Sequence, residues 1–122
     1  MTELNAKKEL EIAVKAIDSK KANDIVALDM GPVSLMADYF VIAEAPSNRQ
    51  VQAIVNELKD KYEEAGGTVR FIEGFQAAQW VLIDLGDVIV HIFDSEHRDF
   101  YNLEKLWYDA PLVDISEFLQ AD

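Results

Sequence analysis

The stretch QWVLIDLGDVIVHIF, residues 79–93, holds two apolar runs that meet at Asp84-Leu85-Gly86-Asp87. Runs rich in Val and Ile, broken by a short segment with Asp and Gly, read as two strands joined in a tight hairpin. With Leu85-Gly86 as the loop, position 84 faces 87, 82 faces 89 and 80 faces 91. Strand side chains alternate, so Trp80, Leu82, Asp84, Asp87, Ile89, His91 and Phe93 share one face, and Val81, Ile83, Val88, Val90 and Ile92 the other. The second set is aliphatic throughout and belongs in a core. The first mixes aromatics, an imidazole and two carboxylates, which suits a face that meets a partner while staying partly wet. The alternative packs Trp80 and Phe93 under a terminal segment and leaves the acids to frame a turn. A register changed by one residue would exchange the two faces.

Upstream, about Glu3 to Lys21 places Leu10, Ala13, Val14 and Ile17 at helical spacing between charged residues, an amphipathic helix. Ile25 to Leu28 and Tyr39 to Ala43 are short apolar runs without alternation, which suits strands covered on both faces in an α/β sheet. Ser47 opens a second helix, where its hydroxyl can cap and Gln50 can reach back. Val51, Ile54, Val55 and Leu58 form the apolar stripe, and Gly66-Gly67 supplies the stop. Val69 to Ile72 reads as a strand, Ser95 to Tyr108 as a helical segment that ends before Pro111, and Ser116 to Leu119 as a last turn. The fold class is α/β, a single domain over residues 1–122 with a C-terminal tail from about 110.

At 122 residues, 50% hydrophobic and 28% charged, the chain can bury a core without metal or crosslink. It contains no cysteine, which removes disulfides, thiolate zinc sites and cysteine nucleophiles and fits a reducing cytosol. No apolar run approaches the roughly 20 residues of a membrane span. The N-terminus has no apolar signal region, so the expected location is cytoplasmic. Net charge is −12, and residues 71–122 carry eleven acids against Arg98 and Lys105. Such a surface repels phosphate backbones and anionic lipid, so direct nucleic-acid binding is not expected and the expected partner is a basic protein.

Catalytic readings are weaker. Asp84 and Asp87 resemble a carboxylate pair for a divalent cation, yet DxGD is also an ordinary turn. No Gly-rich phosphate loop accompanies them, so neither metal nor cofactor is expected. His91 could serve as a general base, but a lone strand histidine is more often a hydrogen-bonded structural residue. Arg98, between Asp94 and Asp99, reads either as a contact residue or as an ion pair ordering a helix start. Trp107 and Tyr108 are half core, half candidate contact surface.

The combined pattern of Trp80, Asp84, Gly86, Asp87, His91, Arg98, Tyr101, Leu103, Glu104, Leu106 and Trp107, with Asp38-Tyr39-Phe40 and Ser47, Arg49, Gln50 and Val51, resembles the ribosomal silencing factor (RsfS, Iojap-like) family. The resemblance implies a mixed sheet flanked by helices, related to nucleotidyltransferases but without their activity. It implies binding to the large ribosomal subunit through ribosomal protein L-fourteen, so that the small subunit cannot dock and translation stops when nutrients are scarce. On that reading the contact residues are Trp80, Leu82, Asp84, Asp87, Ile89, His91, Phe93, Arg98, Tyr101, Glu104, Trp107 and Tyr108. One departure is visible: Glu44-Ala45-Pro46 stands where the family commonly has Thr or Ser and Gly, which disfavours anion binding at the following helix. The rival classes are a nucleotidyltransferase-like, metal-dependent enzyme using Asp84 and Asp87, and a homodimer that turns the same face on itself.

Overall fold

The structure is a computed structural model that describes residues 5–31, 37–95 and 110–119. Helix α1 (Ala6–Ser19) begins later than the periodicity predicts, because the Asn5 side chain accepts the Lys8 N–H at 2.8 Å and caps it there. It ends ahead of Lys21, whose positive φ of 61° cannot continue a helix. Strands β1 (Asn23–Asp29) and β2 (Tyr39–Ala45) follow, then α2 (Asn48–Glu64), β3 (Phe71–Glu73), β4 (Trp80–Asp84), β5 (Val88–Asp94) and a 3₁₀ turn, Ser116–Phe118. The predicted helix after Ser95 lies outside the described residues.

Ser47 caps α2 as expected, accepting the Gln50 N–H at 3.1 Å. The Gln50 side chain does not reach back; it donates to the Lys20 carbonyl at 3.4 Å and ties α2 to the end of α1. Gly66, with φ +97°, turns the chain out of the helix.

The sheet has the order β1-β2-β5-β4-β3 and is mixed: β2 and β5 are parallel, and the other pairs are antiparallel. Both helices serve one face. Leu10, Ala13, Val14 and Ile17 of α1 and Val51, Ile54, Val55 and Leu58 of α2 form a single buried cluster with Val41, Ala43, Val81, Ile83, Val88, Val90 and Ile92. Every aliphatic residue assigned to the inner face of the hairpin is therefore in the core. The other face is built differently. A smaller cluster of Leu28, Met30, Ile42, Phe93 and Ala110 lies there, and no residue of α1 or α2 contributes to it. Part of its cover is the C-terminal segment, which pairs with β1 through the Leu28–Leu112 bridge and the Val113 N–H to Ala27 carbonyl bond.

Candidate functional site: the aromatic face of the β3-β4-β5 ladder

The hairpin register differs from the expectation by two residues. Trp80 pairs with Phe93, Leu82 with His91 and Asp84 with Ile89. The turn is Leu85-Gly86-Asp87-Val88, closed by the Leu85 N–H to Val88 carbonyl bond at 2.9 Å, with Gly86 at φ +113°. The Asp84 carboxylate sets this turn, because its Oδ1 accepts the Gly86 N–H at 2.8 Å. A slip of two residues preserves the alternation, so the face assignment survives for the strand residues. Asp87 does not face Asp84. It sits in the turn, where its carbonyl accepts the N–H groups of Asp38 and Tyr39 and its own N–H donates to Glu9 Oε1 at 3.2 Å.

Across the outer face, Trp80, Leu82, Asp84 and Ile89 are half-buried, and Phe71 of edge strand β3 is 46% exposed. His91 and Phe93, expected to be contact residues, are interior, at 4% and 1% exposure. The cause is Trp80, whose ring stacks on Phe93 at 5.4 Å and 23° and lies 5.9 Å from His91, while Phe40 closes the other side of the imidazole at 4.8 Å. The alternative reading thus holds for Phe93, which packs with Ala110 of the C-terminal segment. Arg98, Tyr101, Glu104, Trp107 and Tyr108 lie outside the described residues.

Trp80 Nε1–H donates to His91 Nδ1 at 3.0 Å. Burial pushes the His91 pKa down to about 4, so the imidazole is neutral at pH 7 and its Nδ1 is free to accept. This is the hydrogen-bonded structural histidine of the second reading, with neither the access nor the free lone pair a general base needs. Glu73, Gly74, Trp80 and Leu82 line a cleft of about 220 Å³ beside it.

The loop that delivers Trp80 is held from α2 by residues whose roles the sequence did not reveal. Asn48 Nδ2 donates to the carbonyls of Ala77 and Ala78 and to Asp94 Oδ2, at 3.0 to 3.2 Å. Gln52 Nε2 donates to the Phe75 carbonyl at 2.9 Å. Glu9 was missed as well. It is 3% exposed beneath the hairpin turn, and a position four residues before Ala13 on the apolar side of α1 was the available signal. Burial first, and then Asp87, push its pKa up to about 7.

Among the described residues no three His, Asp or Glu side chains are grouped to hold a metal ion, and no helix is long and apolar enough to cross a membrane. Among the described residues, sheet and face together define a single α/β domain with five mixed strands, two helices on one side and an acid-rimmed aromatic surface on the other. The chain belongs to the RsfS family, "ribosomal silencing factor during starvation", whose family model matches residues 3–122. It is 55% identical to the ribosomal silencing factor RsfS of Bacillus subtilis over 92% of this chain and 95% of that protein. It is 32% identical to mouse mitochondrial assembly of ribosomal large subunit protein 1, over 93% of this chain and 53% of that one. A crystal structure from Bacillus halodurans superposes with a TM-score of 0.81 at 49% identity, covering 89% of this chain and 99% of that chain.

Proposed function

We propose that the protein binds the large ribosomal subunit through ribosomal protein L-fourteen, using the face centred on Trp80, and silences translation by occupying space the small subunit needs. The observation that carries this reading is a half-open tryptophan next to Glu73 and Leu82, on the same sheet face as the exposed Phe71 and as Asp84, in a chain of net charge −12. Such a surface is poorly suited to ribosomal RNA and well suited to a basic protein. The name of the mouse relative refers to the large ribosomal subunit and supports that subunit as the target. Trp80, Leu82, Asp84 and Ile89 make the contact, with Asp87 at its margin and His91 and Phe93 supporting it from beneath. Arg98, Tyr101, Glu104, Trp107 and Tyr108 extend the contact. The action is steric and needs no covalent chemistry.

The purified protein should co-sediment with large subunits but not with small subunits or assembled ribosomes, and should lower the assembled fraction at one-to-one stoichiometry. Inactivation of many subunits by a substoichiometric amount would contradict a steric mechanism. Trp80→Ala should weaken binding by about 2 kcal/mol, roughly 30-fold, the size expected of a central aromatic anchor. Asp87→Asn should leave dissociation nearly unchanged while reducing the salt dependence of association, because exposed charges act mainly on encounter. An association rate that stays flat as salt is raised would remove electrostatic recognition of a basic partner.

A further inference from the structure

We infer that His91 is a positioning residue for the docking face, holding the Trp80 indole by the Nε1–H to Nδ1 hydrogen bond so that a partner meets the ring's carbon edge and not its N–H. This rests on the reading of Trp80 as the central contact. The chemistry of the imidazole points to it. With Nδ1 accepting from Trp80 at 3.0 Å, the neutral ring carries its proton on Nε2, and that buried atom has no hydrogen-bond partner among the described residues. An orphaned buried donor opposes folding, whereas an apolar side chain would fill the place between Phe40 and Trp80 without that penalty. The orphaned Nε2–H is the cost of a histidine at this place, and the acceptor at Nδ1 is what the histidine supplies against it.

Stacking on Phe93 at 23° sets the plane of the indole, and the two χ2 orientations that share such a plane put the N–H on opposite edges of the ring. The hydrogen bond to His91 selects the orientation that turns the only polar atom of the ring inward. Loss of rotamer freedom before binding lowers the cost of binding, which is what a positioned anchor contributes.

Four variants test this: His91→Leu, Trp80→Phe, the double variant and Trp80→Ala. His91→Leu should melt close to the wild type, because the lost hydrogen bond to Trp80 is offset by removal of the orphaned Nε2–H. It should speed solvent exchange of the Trp80 indole N–H, assigned with Trp107→Phe, by about tenfold or more, the loss of one buried hydrogen bond. Binding to large subunits should weaken about tenfold. Trp80→Phe has no N–H for His91 to hold, so adding His91→Leu to it should cost nothing further. Equal weakening by His91→Leu in both backgrounds, or wild-type affinity in His91→Leu, overturns the positioning role. Wild-type affinity in Trp80→Ala overturns instead the reading of the face itself. If His91→Leu does not fold, His91→Gln, whose carbonyl can accept from the indole, should retain slow exchange and binding, and fast exchange with full affinity refutes the inference.

Discussion

Glu9→Gln should stabilise the protein at pH 8 by about 2–3 kcal/mol and change it little at pH 5, as read by urea unfolding across that range. The Glu9 carboxyl accepts the Asp87 N–H in the hairpin turn and meets the Tyr62 hydroxyl of α2. Burial and the Asp87 charge raise its pKa from 4.5 to about 7. The folded state thus binds a proton that the unfolded chain has released. Stability from this group is fully present below pH 4.5 and is lost as pH rises through about 7. Glutamine keeps an oxygen to accept the Asp87 N–H and has nothing to ionise, so the variant escapes the loss. His91 titrates in the opposite sense. Its pKa is lowered from 6.5 to about 4, so its contribution is present above pH 6.5 and fades as pH falls through about 4. That contribution is common to both proteins and cancels in the difference. A Glu9→Gln advantage that is the same at pH 5 and pH 8 would show that Glu9 is ionised throughout.

The same site explains why the sequence was more legible for faces than for contacts. Alternation along 80–84 and 88–93 sorts core from surface whatever the turn length, provided any slip is even, and the observed slip is two. The turn was misplaced because Asp84 acts as its cap, accepting the Gly86 N–H, rather than as a facing partner of Asp87. Periodicity placed Leu10, Ala13, Val14, Ile17, Val51, Ile54, Val55 and Leu58 correctly, since all are buried. It could not show that Trp80 would lie over His91 and Phe93 and make them interior, because that depends on a rotamer and a cross-strand diagonal. Nor could it show Asn48 reaching the loop before β4, a contact 29 and 30 residues away in the chain.

Gly74→Ala should be the most damaging single change at the face, costing about 3 kcal/mol or more. Gly74 has φ +81°, a conformation unfavourable to any residue with a β-carbon. An added Cβ would also collide with the Trp80 carbonyl oxygen and lie 3.4 Å from its carbonyl carbon. The obstacle is backbone, so no side-chain rotation relieves it. The loop cannot yield easily either, since the Ala78 N–H is bonded to the Gly74 carbonyl at 2.9 Å and α2 grips the loop through Asn48 and Gln52. The start of β4 must therefore move, and Trp80 with it. Gly66→Ala is the comparison: its φ is similar at +97°, but nothing lies within 4 Å of the added carbon, so it should cost only about 1 kcal/mol. A thermal melt should separate the two by several degrees for a domain of this size. Binding should separate them further, because only Gly74→Ala displaces the indole. Equal melting temperatures would mean that the loop before β4 yields to the added carbon without loss, and undiminished binding by Gly74→Ala would mean that Trp80 need not sit where β4 now places it.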